Sequence, residues 1–207
     1  MDIKEEVKFI PYLSKASLSL ALGKENPNTL RNYIRYWQQR KRLLPLKRGF
    51  YVSADFLEKG DNSLYYPRFL AAKMVEPSYL SREFALQEYQ ALTDVVYGYT
   101  AITTANTRTI KNKFGTFNYS SIKPELFCGF EKKKYGDLVW YEATKAKALF
   151  DFLYFKFRKI KKISAENVSE LRINLDVFEK KDWKEFERYS ALAPAKMKEV
   201  YQIIKKL

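Results

Sequence analysis

Large apolar residues fall at Leu30, Tyr33, Ile34 and Trp37, the i, i+3, i+4, i+7 spacing of a single buried stripe on an α-helix. Just ahead of them stands Asn26-Pro27-Asn28, in which either asparagine can cap a helix and proline suits the first position. At about 100° per residue the far side of this helix is then forced. It carries Asn28, Arg31, Asn32, Arg35, Gln38 and Gln39, with Thr29 at its start and Arg40, Lys41 and Arg42 closing the last turn. Such side chains read duplex DNA: Arg bonds guanine, Asn or Gln bonds adenine, and cations contact phosphates.

Two short apolar runs follow, at 43–46 and 50–53, joined through Lys47, Arg48 and Gly49. Gly49 can take the positive φ of a tight turn, and Pro45 confines its strand to an edge. The pattern predicts a β-hairpin with Lys47 and Arg48 as two cations at its tip. Upstream, Ile3, Val7 and Ile10 predict a first helix ending near Pro11, and Ser14 caps a second, KASLSLALG, which stops at Gly23. Three helices and a basic hairpin describe a winged helix-turn-helix over residues 1–56, with Asn28, Thr29, Arg31, Asn32, Arg35, Gln38, Gln39, Arg42, Lys47 and Arg48 as candidate DNA contacts.

A boundary is expected across 54–64, where ADFLEKGDNSL loses periodicity, and a second domain over 60–207. Its pattern predicts a short helix ending before Pro77 and another, capped by Ser81, running through REFALQEYQAL. From Val95 the character turns to β: VVYGYTAITT, TRTIKNKFG, TFNYSSI and ELFCGF are rich in β-branched and aromatic residues. Turns are expected at 113–116 and 134–137, then a strand at 138–141. The stretch EATKAKALFDFLYFKFRK has an apolar stripe broad enough for a central helix. Three further stripes predict C-terminal helices: Val168, Leu171, Leu175 and Phe178; Trp183, Phe186 and Tyr189; and Met197, Val200, Tyr201 and Ile204. The expected class is α+β, with a mainly antiparallel sheet and C-terminal helices.

Charge sharpens this picture. The formal net charge is +14, and residues 1–53 hold 11 basic against 4 acidic side chains. Half the excess therefore sits in about a quarter of the chain, which makes a polyanion partner and salt-dependent binding the expectation for the N-terminal part. The 16 tyrosines and 15 phenylalanines follow core periodicity, not the paired pattern of a base-stacking sheet. The start of the sequence lacks the charge pattern of a secretory signal, and no apolar run approaches the roughly 20 residues of a membrane span, so a cytoplasmic protein is expected.

Candidate chemistry is sparse. With no histidine and only Cys128, His-dependent triads, a cysteine metal cluster and an intramolecular disulfide are excluded. An enzyme would have to use carboxylates, lysine or tyrosine, and Asp137, Glu142, Lys145 and Asp151 are the best placed. A nuclease centre of the Asp, then Glu-x-Lys type needs Glu and Lys two apart on one strand face, whereas Glu142 and Lys145 are three apart. Ordinary helical ion pairs suit these charges better, as do Lys147 and Asp151 at i, i+4. No cofactor is expected. A protein-interaction module without specific DNA binding and a carboxylate-dependent nuclease remain the alternatives.

In its order of motifs the chain resembles the AbiEi family of antitoxins, the regulator half of two-gene abortive-infection loci. Gly49, Phe50, Tyr51 and Val52 match the family's wing exit; Tyr79, Leu80 and Ser81 match a helix start. Ala143, Lys147, Ala148, Leu149, Phe150 and Asp151 match a third motif, in which Lys145 and Ala146 stand where the family has Pro-Glu. The resemblance implies a repressor of its own operon, acting at inverted repeats in promoter DNA. It also implies a C-terminal domain that opposes a nucleotidyltransferase-like toxin.

Overall fold

A computed structural model of the protein describes residues 5–59, 64–93, 97–160 and 162–206. The architecture is α+β. The N-terminal unit runs α1 (Glu5–Lys8), β1 (Leu13–Ser14), α2 (Lys15–Leu22), α3 (Pro27–Gln39), β2 (Leu43–Lys47) and β3 (Phe50–Ser53). Local chemistry sets its boundaries. Ser14 Oγ accepts from Ser17 N at 3.0 Å while Ser14 N donates to Ser17 Oγ at 2.8 Å, a reciprocal cap that starts α2. Gly23, at φ +59, ends that helix in the left-handed conformation, its N–H donating to the Leu20 carbonyl at 3.1 Å.

Strands β2 and β3 form the expected hairpin, with Gly49 at φ +81 in the turn. β1 pairs with the other side of β3, giving the order β1-β3-β2. Pro45 thus lies on an outer strand, where its missing N–H costs no ladder bond. Leu18, Leu30, Ile34, Trp37, Leu43 and Tyr51 close a small core beneath α3. Ile3 lies outside the described residues, and Ile10, expected in the first stripe, is 36% exposed because α1 stops at Lys8.

The boundary expected from Ala54 to Leu64 is in part a helix, α4 (Ala54–Lys59). Ser53 Oγ accepts from Phe56 N at 3.0 Å and starts it, and Phe56 and Leu57 turn inward. Residues 60–63 of the expected turn cluster lie outside the described residues.

Beyond it come α5 (Tyr66–Met74), β4 (Ser78–Leu80), α6 (Arg82–Glu88), β5 (Tyr99–Thr103), β6 (Arg108–Asn112), β7 (Gly115–Ser121), β8 (Phe130–Tyr135), β9 (Leu138–Ala143) and α7 (Lys145–Phe157). The strands form one six-stranded sheet in the order β6-β7-β5-β4-β9-β8. Pairs β5/β7 and β4/β9 are parallel and the other three antiparallel. Successive side chains serve opposite faces. Tyr79 and Ile102 join the core under α7, whereas Leu80 and Ala101 join the core under α5. α7 is buried on nearly every side, with Ala146, Leu149, Phe150 and Leu153 fully covered.

Four expectations for this part are corrected. The segment ELFCGF is no strand: Pro124–Leu126 is a 3-10 turn, and β8 begins only at Phe130. α6 ends at Glu88, with Gln90 at φ +58, instead of running on to Leu92. Ser81 precedes α6 but does not cap it with its side chain; its hydroxyl donates to Asp151 at 2.7 Å. The stripe from Val168 to Phe178 is broken after α8 (Ala165–Ser169), where Arg172 takes φ +49 and Ile173 bridges to Leu92. Val95 and Val96 lie outside the described residues. Helices α9 (Lys180–Leu192) and α10 (Ala195–Ile204) follow the last two stripes.

The N-terminal unit does not stand apart. Leu46 and Val52, on the hairpin, pack in the same core as Tyr66, Phe69 and Phe117. Tyr66 OH donates to the Pro11 carbonyl at 2.7 Å, and Asn112 Nδ2 donates to the Leu46 carbonyl at 3.0 Å. A unit this small buries little alone, and the shared core offsets that deficit. No helix of the described residues is long and apolar enough to cross a membrane.

Candidate functional site

Helix α3 begins where the sequence places it. Asn26 Oδ1 accepts from Asn28 N at 2.9 Å and Thr29 N at 3.3 Å, with Pro27 in the first turn. Leu30, Ile34 and Trp37 turn inward at 7%, 4% and 1% exposure, which fixes the rotation of the helix about its axis. The remaining arc, about 100° wide from helical geometry, presents Asn28, Arg31, Asn32, Arg35 and Gln39, all exposed. Thr29 and Gln38 flank that arc and are half-buried. Among the described residues no carboxylate pairs with Arg31, Arg35 or Arg48. Arg40, at the end of the helix, lies over the Tyr36 ring at 4.3 Å.

Two of the expected contacts are otherwise engaged. Arg42 does not close the last turn, because α3 ends at Gln39 and Lys41 takes φ +57. Its guanidinium bonds Asp55 at 3.3 Å, and its carbonyl accepts from Ala54 N at 2.9 Å, so it ties the exit of α3 to the start of α4. Lys47 is the second correction. Its ammonium donates to the Met74 carbonyl and lies over the Phe50 ring at 4.1 Å, turned toward α5 and away from the hairpin tip. Burial lowers the Lys47 pKa, the Arg108 charge lowers it further, and Glu76 opposes both. Arg48 alone of the tip pair is exposed. If the hairpin does meet a duplex, a Lys47 ammonium held inward predicts that Lys47→Ala changes the affinity by no more than about twofold. Filter binding at two salt concentrations checks it, and a uniform loss for Lys47→Ala would mean that its ammonium reaches the duplex.

Sequence reasoning missed one neighbour of the hairpin. β6 brings exposed Arg108 within electrostatic reach of Lys47. Nothing in the local pattern signals this, because β6 reaches the hairpin only through the long-range order of the sheet.

The chemistry-bearing residues of the second part do not converge. Asp137 is exposed in the β8–β9 turn. Glu142 accepts from Trp140 Nε1 at 3.1 Å and faces Arg68 at 3.8 Å, whereas Lys145 pairs with Asp182 at 3.0 Å. Asp151 is fully buried: Oδ1 accepts from Lys147 Nζ at 2.8 Å, and Oδ2 from Tyr79 OH at 2.9 Å and Ser81 Oγ at 2.7 Å. Lys147 donates also to the Leu126 carbonyl at 2.8 Å. The arrangement is a closed, mutually satisfied network linking β4, α7 and the turn before β8, and it explains why Ser81 is not free to cap α6. Beside it Gly129, at φ +74, is packed so closely that a Cβ would stand 2.1 Å from Tyr189 Oη.

No family model and no curated protein matches the chain. The geometry of α3 and the hairpin therefore carries the functional argument.

Proposed function

We propose that the N-terminal unit is a winged helix-turn-helix and that the protein is a sequence-specific repressor of its own promoter. In this reading α2 and α3 are the helix-turn-helix, α3 enters the major groove, and the β2–β3 hairpin is the wing beside the backbone. The observation that supports it is the open arc of α3, where amides and guanidinium groups alternate and no carboxylate among the described residues pairs with them. A merely solvated helix face needs no such mixture; base reading does, because Asn32 and Gln39 suit adenine and Arg31 and Arg35 suit guanine or phosphate. Candidate contacts reduce to Asn28, Arg31, Asn32, Arg35 and Gln39 as base readers, Thr29 and Gln38 at the flanks, and Arg48 on the backbone. The site sought is an inverted repeat.

From the resemblance to AbiEi antitoxins, we further propose that the remainder of the chain opposes a nucleotidyltransferase-like toxin encoded beside it, with no catalysis of its own. A neighbouring toxin reading frame, and rescue of its toxicity on co-expression, would support that half; rescue that survives disruption of α3 would assign it to residues 60–207.

Arg35→Ala and Asn32→Ala each weaken binding to the cognate promoter by about 1–3 kcal/mol and hardly change binding to random duplex. Arg48→Ala weakens all duplexes alike and makes the salt slope shallower by about one. Competition gel shifts over a salt series separate the two classes. Equal losses on cognate and random DNA for Arg35 and Asn32 would remove the base-reading role.

A further inference from the structure

Helix α9 carries one stripe at its surface, in which Lys180, Lys184 and Glu187 are exposed and Trp183 is half-buried. Lys180, Trp183, Lys184 and Glu187 recur at i, i+3, i+4, i+7 along it, while the opposite side buries Phe186 and Tyr189 in the core. Beside this stripe α10 brings Tyr201, Ile204 and Lys205. Between the two helices and Leu175 lies a cavity of about 550 Å3. A second cavity of about 300 Å3 adjoins it, sharing Leu175 and Ile204 and reaching Arg172. The two lie side by side, with Leu175 and Ile204 lining both.

The groove has an apolar floor and a cationic rim. Half-buried Leu175 and Trp183 supply the floor, over the buried Tyr201 and Ile204. Arg172, Lys180, Lys184 and Lys205 stand exposed around it, and no carboxylate pairs with any of them among the described residues. Nearby lysines show what the chain does when a cation is only to be solvated and balanced: Lys181 holds Glu179 at 3.0 Å, and Lys145 holds Asp182 at 3.0 Å. Asp176 and Glu187 are the acids lining the larger cavity, so a surplus of positive charge remains over an apolar trough. The complementary object has carboxylates flanking an apolar stripe. Walls formed by α9 and α10 favour a helix over an extended strand, since a third helix can set its ridge into the groove between two others.

We propose that this groove docks an acidic amphipathic helix of a partner protein, its apolar stripe on Leu175 and Trp183 and its carboxylates against Lys180, Lys184 and Lys205. The assignment does not rest on the DNA-binding reading, because the groove is built by the C-terminal helices and shares no residue with α3 or the hairpin. Specificity comes from the charge pattern, and affinity from covering the trough.

Trp183 makes the test direct. Trp37 and Trp140 are 1% and 4% exposed, so acrylamide quenching of the full chain reports chiefly on Trp183. A displayed library of helices of roughly 20 residues, with surface positions randomised, is selected against the full chain, and the enriched peptide is synthesised and titrated. Enriched sequences are expected to carry an apolar i, i+3, i+4, i+7 stripe with acidic flanks and to protect Trp183 from acrylamide. The double charge reversal Lys184→Glu with Lys205→Glu, checked for native circular dichroism, is expected to weaken the peptide about tenfold or more. Enrichment of basic or unpatterned peptides, or binding that leaves Trp183 quenching unchanged, overturns the proposal. So does protection of Trp183 by phosphatidylserine vesicles when no peptide protects it, an outcome that would make the groove a lipid contact instead.

Discussion

Asp151→Ala removes about 3–5 kcal/mol of folding stability, the cost of leaving one member of a buried ion pair without its partner. Both side chains are fully covered. With the carboxylate gone, the Lys147 ammonium keeps the Leu126 carbonyl as its polar partner, and the hydroxyls of Tyr79 and Ser81 lose their acceptor. Three buried donors are affected by one truncation, which places this substitution above an ordinary surface change. For a chain of this length the loss corresponds to a drop of roughly 6–20 °C in the unfolding midpoint. Thermal and urea unfolding followed by circular dichroism measure it. The double substitution Lys147→Met with Asp151→Leu recovers much of the deficit, because an apolar pair needs no desolvation. A single variant within about 1 kcal/mol of the parent would mean that water reaches the pair. The experiment bears on function too, since Asp151 is a catalytic candidate by residue type: a structural role predicts that any loss of the proposed toxin rescue follows the loss of folded protein.

What the sequence discloses here divides along a physical line. Features whose cause is local were legible: the Asn26 cap and the Leu30-Ile34-Trp37 stripe start and orient α3, Gly23 stops α2, and Gly49 turns the hairpin. Each depends on residues within about two turns of one another. Features set by distant partners were not. Ser81 has the residue type and position of a cap, yet Asp151, seventy residues on, claims its hydroxyl. Lys47 occupies a hairpin-tip position by sequence, yet the Met74 carbonyl and the Phe50 ring draw it inward. Arg42 reads as a free cation by sequence because its partner Asp55 lies beyond the hairpin, in the stretch expected as a boundary. The order of the six-stranded sheet belongs to the same class, since parallel partners such as β5 and β7 meet only after the intervening β6 has folded back.

The same distinction bears on the proposed DNA contacts. The arc of α3 survives from sequence to structure because it is the complement of a buried stripe, and a stripe that narrow leaves the opposite side little choice. The hairpin contacts do not survive intact, because a β-strand offers two faces and the second core takes one of them: Leu46 and Val52 point into the core that α5 covers. Arg48 is what remains for the backbone.

Trp37→Ala tests whether the reading arc depends on that stripe. Trp37 is 1% exposed, packs edge to face with Tyr33 at 5.7 Å between ring centroids, and belongs to a core also holding Leu18, Leu43 and Tyr51. Truncating it removes about 3–5 kcal/mol through lost burial and the cavity left behind. That is a large share of the stability of an ordinary domain. Because α3 is anchored chiefly by this stripe, the proposed operator affinity falls in proportion to the folded fraction. Arg35→Ala, by contrast, leaves the unfolding midpoint in place and lowers affinity for the cognate site alone. Parallel unfolding curves by circular dichroism and operator titrations on both variants distinguish the two modes. If Trp37→Ala unfolds at the parent's midpoint, or binds operator normally while unfolded by circular dichroism, the link between the buried stripe and the open arc is wrong.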